Sequence, residues 1–411
     1  MTKRIVLIVT ILIIFLGSIF AYFKIWESKQ PKKLTFWSIQ LKPIYEKQIN
    51  EIIAEFEAKN PNYKVVWVDI PIQEAQKRTL ASILSSTPPD LINLNPEFSQ
   101  ILAKKNALEF FDEIEVNDFH ESLVDKLRYK GDIYALPFYA TSPVTIYNKD
   151  IINSQIKTYD DIFQNASKIY SKTGVAPFVA PLNENDTLLK ILNKYNIETF
   201  SNDEKEQTVK LFDEFNRIYK KAYLPKDTLT INHREMIEKY MSGQVGLIVV
   251  GSNFIKMIKE NAPDVYEKSA IAPQLVGLNK KYDVSLMNLV IPKKSKNKDM
   301  AREFAYILTN EKNQFELAKL TNVLPANVYA LKDSYFKNCS SDLIDSARCI
   351  GVKQLDNLID SNVEILDKKA LSENLNKEFE SILLDKNSGL KTIKTRINNL
   401  FPRLNLYIEQ N

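Results

Sequence analysis

Along this chain short apolar runs alternate with stretches in which apolar residues recur every three or four positions, the signature of strands alternating with amphipathic helices. Residues 34–38 form the first such run. Tyr45, Ile49, Ile52, Ile53 and Phe56 then mark one face of a helix, which Asn60 and Pro61 stop. Residues 63–70, with Val65, Val66, Trp67 and Val68, predict a second strand; 74–86 predict a helix broken by Pro88 and Pro89. A third strand is expected at 90–94 and a helix over about 97–105. This βαβαβ order predicts an α/β fold with a mostly parallel sheet covered by helices. Further extended segments are expected at 133–137, 143–147 and 246–250. Helices dominate from 299 onward, the last three at about 353–365, 369–384 and 389–400.

Residues 5–23 carry no charge, and at about 1.5 Å per residue a helix of that length crosses a bilayer core of roughly 30 Å. Lys3 and Arg4 precede the run and orient the N-terminus toward the cytoplasm. An N-terminal transmembrane anchor is the favoured reading. A cleaved signal peptide is the alternative, disfavoured because Ala21 has Ile19 rather than a small residue two positions before it. Either way, residues from about 34 onward face outside the cytoplasm, and the protein is expected at the cell membrane on the extracytoplasmic side, or secreted if the segment is removed.

That compartment changes the reading of Cys339 and Cys349, the only two cysteines. An even count at short range in an oxidising environment predicts one disulfide; two free thiols are the alternative.

The 411 residues exceed one ordinary core and fit two lobes. Formal charge is +4, but residues 1–33 alone carry +5, so the exported part is close to neutral and lacks the basic excess that nucleic acid requires. Two histidines far apart exclude a local His-rich zinc motif, and no metal or cofactor is expected. Nine glycines include no G-x-G-x-x-G or Walker run for a nucleotide.

Several short motifs then fall in a familiar order. These are FW at 36–37, FEAKNP at 56–61 with VV at 65–66, LASILSSTPPD at 80–90 and GDIYALP at 131–137. IYNKD at 146–150, MSGQVG at 241–246 with Gly251, KNK at 296–298 with Ala301 and Phe304, and LPA at 324–326 continue the series. Together they resemble the extracellular solute-binding proteins of carbohydrate-type ABC transporters, the maltose-binding-like group. The resemblance implies a two-lobed, periplasmic-binding-protein-like (type II) α/β fold with a ligand cleft between lobes and closure by a hinge. It implies an N-terminal lobe of 34–140 and 290–332 and a C-terminal lobe of 141–289 and 333–411, after an anchor and linker of 1–33. The implied role is to capture a sugar or sugar-like solute, as a monomer, and pass it to a membrane permease. An alternative is a sensor presenting the solute to a membrane receptor or kinase.

Ligands of α/β folds sit at the carboxyl ends of strands and at lobe junctions. That rule and the resemblance both select the loops after Trp37, after Leu94, at 139–142 and after Gly251. Sugar hydroxyls donate and accept at once, and amides and carboxylates can answer both roles. The candidate ligand residues are Gln40, Asn95, Glu97, Tyr139, Thr141, Asn183, Asn185, Ser252 and Asn253. Each has a plainer reading, Asn as a turn or cap residue and Glu97 as a helix-start charge. His120 and His233 read as surface residues. A glycosidase would need a second carboxylate about 5–10 Å from the first, and only Glu97 stands out. An enzyme is not expected.

Overall fold

The computed structural model describes residues 31–153, 156–184, 186–359 and 365–409. The apolar segment 5–23 and the candidate ligand residue Asn185 lie outside the described residues. Among the described residues no helix is long and apolar enough to cross a membrane.

The chain divides into two compact units: one of residues up to 115 with 127–138 and 287–316, the other of 116–126, 139–286 and 317–411. In the first, strand Lys32–Ile39 pairs in parallel with Tyr63–Ile70 along its whole length, from Lys32 opposite Tyr63 to Ile39 opposite Ile70. On its other side it pairs in parallel with Leu91–Leu94. Strand Ser285–Val290 then joins antiparallel, placing Asn288 opposite Leu94. The parallel βαβαβ start is thus as the periodicity predicts, with an antiparallel strand from far along the chain added beside it.

Helix Lys42–Lys59 buries Tyr45, Ile49, Ile52 and Phe56, the expected stripe, and ends at Asn60. Phe36, Phe56 and Phe304 build the adjoining core edge to face, with ring centroids 5.5 and 5.2 Å apart for the two pairs that include Phe304. Asp90 is buried where the apolar strand begins; it accepts from Thr35 N at 2.8 Å and from Ser295 Oγ at 2.6 Å. One carboxylate therefore ties the central strand to the turn that starts helix Lys298–Thr309.

The second unit holds a four-stranded sheet in the order Ser269–Pro273, Pro143–Asn148, Val245–Gly251, Ala176–Phe178. Its largest core cluster joins helices Tyr159–Thr173, Lys205–Lys220, Lys368–Leu384 and Leu390–Asn405. Phe379 anchors it, 4.8 Å from Phe212 and 5.6 Å from Phe215 between ring centroids. Residues 116–126 belong to this unit, to which Ser122 Oγ is tied by donating to Leu355 O at 2.7 Å and Lys126 Nζ by donating to Ile359 O at 2.7 Å.

The helix expected at about 353–365 is displaced. A helix occupies Leu343–Gln354 instead, started by the Asp342 side chain accepting from Ile344 N, and a 3-10 turn follows at Leu355–Asn357. Its buried face includes Arg348, Gly351 and Gln354, so apolar periodicity does not reveal it. Cys349 lies on this helix and is joined by a disulfide to Cys339, with the Cα atoms 5.8 Å apart.

Candidate functional site

In the first unit the strand ends carry the candidates. Gln40 follows strand Lys32–Ile39 with φ of +50°, left-handed for a residue with a side chain, while its N–H donates to Ile70 O. Its side chain is exposed. Such strained positions concentrate at functional sites. Ser38, two residues earlier, is wholly buried and committed, donating to Asp69 Oδ1 at 2.5 Å and accepting from Trp67 Nε1 at 2.8 Å. The same Asp69 accepts from Leu41 N and Lys42 N, which closes the start of the following helix.

Asn95 is the N-cap of helix Pro96–Lys104, its Oδ1 accepting from Phe98 N at 2.9 Å. The plainer reading therefore holds for its oxygen. Glu97 is exposed in the first turn, where its charge suits the helix start. It lies near Tyr134, whose phenol is pushed up by burial first and by the Glu97 carboxylate second.

In the second unit Thr141, Gly251 and Asn253 converge. A Cβ placed on Gly251 would lie 2.5 Å from Asn253 Oδ1 and 3.4 Å from Thr141 Cγ2. That places both side chains beside the end of strand Val245–Gly251. Asn253 is exposed, and the ring of the next residue, Phe254, stands 5.2 Å from that of His233. Ser252 is buried and donates to Asn322 O at 3.2 Å, so it holds the turn rather than facing solvent. Tyr139 is half-buried in strand Leu136–Thr141 and faces Pro325 in the ladder.

Asn183 is committed elsewhere. Its Nδ2 donates to Glu380 Oε2 at 3.2 Å, and its carbonyl accepts from Asn376 Nδ2 at 3.3 Å. Both partners lie on helix Lys368–Leu384, so this asparagine ties the loop to that helix. His233 is half-buried rather than on the surface; burial lowers its pKa, against the pull of Glu184. Phe254, His233 and Glu184 are absent from the sequence-derived set. Phe254 had a signal, adjacency to Asn253; the other two reach it only through the fold.

Asp186, beside this loop, accepts from Lys190 at 3.0 Å and Lys368 at 2.6 Å. Burial works against its charge, yet the two ammonium groups outweigh it and hold the carboxyl below its ordinary 3.8. A depressed carboxylate contributes stability that is fully present above the unfolded value and is lost as pH falls through the folded one. Asp186→Asn should therefore lower the melting temperature at pH 7 and flatten its decline below about pH 4, as read by melts from pH 2 to 7. An unchanged acid limb would show that other carboxylates control it.

Among the described residues no group of three His, Cys, Asp or Glu side chains is placed to hold a metal ion. In the first unit the exposed groups are the amides of Gln40 and Asn95 and the carboxylate of Glu97; in the second unit the exposed amide of Asn253 stands beside the half-buried Thr141 hydroxyl and Phe254 ring.

A family profile for bacterial extracellular solute-binding proteins matches residues 51–338. The diacetylchitobiose binding protein DasA of Streptomyces coelicolor is 24% identical over 320 residues, covering 71% of this chain and 72% of its own. The arabinooligosaccharide-binding protein of Bacillus subtilis is 22% identical over 339 residues, covering 75% and 77%. Among solved structures, the sugar-binding protein MalE from Xanthomonas citri superposes with a TM-score of 0.76 at 19% identity, over 92% of this chain and 97% of MalE. At that identity the likeness is one of fold, and it agrees with the α/β periplasmic-binding-protein class expected from the motifs. With the profile matching most of its length, the chain belongs to the bacterial extracellular solute-binding proteins, carriers of solute and not enzymes.

Proposed function

We propose that this protein captures a sugar, in particular a short oligosaccharide, outside the cytoplasm and hands it to an ABC-transporter permease. The observation that carries the reading is the cluster of Thr141, Asn253 and Phe254 in the second unit. It supplies a hydroxyl, an exposed amide and a partly exposed ring at one strand end. Amides pair with sugar hydroxyls in both senses, and a ring covers the apolar face of a pyranose. The relatives named for diacetylchitobiose and arabinooligosaccharide binding support the substrate class. Gln40, Asn95 and Glu97, at strand ends of the first unit, are proposed ligand residues of that unit.

The test is a thermal-shift screen of the full-length protein against mono-, di- and oligosaccharides, N-acetylated ones included, with amino acids, polyols and iron as controls. A ligand of the folded state at a hundredfold excess over Kd adds about 2.7 kcal/mol. A shift with a control solute and with no sugar would sink the assignment. For the sugar so found, Asn253→Ala should weaken binding about tenfold, the worth of about 1.4 kcal/mol, for one good hydrogen bond. Its melting temperature should stay put, because the side chain is exposed. Calorimetric titration reads the first and a melt the second; unaltered affinity would remove Asn253 from the site.

With the uncharged run 5–23 long enough to span a bilayer and Ile19 two positions before Ala21 disfavouring cleavage, the protein should partition with membranes and keep its N-terminal sequence. Recovery from the medium with those residues missing would establish a cleaved signal instead.

A further inference from the structure

Helix Leu343–Gln354 touches both of the second unit's candidate ligand loops from behind. Ala347 packs in one cluster with Val144, Val250 and Ile255, which flank those loops in sequence. Gln354, at the helix end, is 1% exposed and uses both ends of its amide. Its Nε2 donates to Ser142 Oγ at 2.6 Å and to Pro143 O at 2.8 Å, and its Oε1 accepts from Gln274 N at 2.8 Å. Two segments of chain, 142–143 and the one at Gln274, are thus pinned by one side chain, the first of them next to Thr141. One turn earlier on the helix, a Cβ on Gly351 would come within 3.3 Å of Leu324 Cδ1 and 3.5 Å of Ser142 Cβ, so the helix backbone itself lies against this strand. The second loop is held by a parallel route. Ser252 Oγ donates to Asn322 O, and Asn322 Nδ2 reaches Ile344 O on the same helix at 3.4 Å.

We propose that Gln354 is a positioning residue for ligand binding: by fixing Ser142 and Pro143 it sets the place of Thr141, and so the geometry of the Thr141–Asn253 pair. The inference rests on the sugar-binding reading of that pair, but the placement of Thr141 is measurable without any sugar. A buried amide engaged at three points is replaced at a cost to its partners, whereas Phe401, which packs on Phe200, makes none of these bonds.

The experiment compares Gln354→Met, Ser142→Ala and Phe401→Leu in the full-length protein. Phe401 belongs to the separate cluster around Phe200 and reports the effect of lost stability alone. Hydrogen exchange in the ligand-free state is expected to quicken at Thr141 and Asn253 by about tenfold or more in the first two variants and to stay unchanged in the third. With the sugar identified by the screen, Kd should rise about tenfold in Gln354→Met, and less in Ser142→Ala, which leaves the Pro143 bond. Equal exchange at Thr141 in Gln354→Met and Phe401→Leu would overturn the proposal, as would quickened exchange with an unaltered Kd. If no sugar binds even the wild type, the substrate reading fails, and the exchange data still decide whether Gln354 positions Thr141.

Discussion

Lys194→Met should lower stability by about 3–5 kcal/mol, the usual result of removing one partner from a buried ion pair. Lys194 is 2% exposed at the end of helix Thr187–Lys194. Its Nζ lies 3.0 Å from Asp283 Oδ2 and 2.9 Å from Gln274 Oε1. Gln274 in turn accepts from Asp283 N and donates to Asp283 O, so the lysine neutralises a carboxylate that the surrounding bonds hold in place. Burial lowers the Lys194 pKa, against the attraction of Asp283. The ammonium therefore loses more on leaving water than its partner returns. This sets two different expectations. The single variant strands Asp283, whereas Lys194→Met combined with Asp283→Leu should recover most of the loss, because no charge then needs compensation. Urea unfolding of the three proteins measures both. A single variant within about 1 kcal/mol of wild type would mean that water solvates Asp283 when the lysine is gone.

Loss of the disulfide is the second large effect. Changing both Cys339 and Cys349 to serine should cost roughly 2–3 kcal/mol, the chain entropy regained when a loop with ten-residue separation opens in the unfolded state. Cys349 is buried on helix Leu343–Gln354, so the serine there adds a further desolvation cost. Unfolding curves of the wild type with and without dithiothreitol should differ by the chain-entropy part alone, and so by less than wild type and double variant. Coincident curves under the two conditions would mean that the bond is absent from the purified protein.

How far the sequence reveals this molecule depends on the range of each interaction. Helix Lys42–Lys59 is legible because Tyr45, Ile49, Ile52 and Phe56 lie on one stripe and Asn60 ends it, all within eighteen residues. The N-cap role of Asn95 is legible too, since its partner Phe98 N is three residues away. Helix Leu343–Gln354 is not, because it buries an arginine, a glycine and a glutamine that no hydrophobic count registers. Asn183 resembles a ligand residue on its loop, but its partners Glu380 and Asn376 stand nearly two hundred positions away. His233 reads as solvent-facing for the same reason: Phe254 and Glu184 come to it only through the fold. The strand ends are therefore readable in the sequence, while the division between side chains that hold a loop and side chains that face outward is not.

The pairing of Asn288 with Leu94 has a consequence for biosynthesis. The first unit's sheet lacks this strand until about 190 further residues have left the ribosome, an interval of roughly 10–40 s at ordinary elongation rates. The nascent chain cannot bury that strand edge early, and closing so long a loop is slow once the partner arrives. The late return of strand Ser285–Val290 should therefore make completion of this sheet one of the last steps in the folding of the first unit.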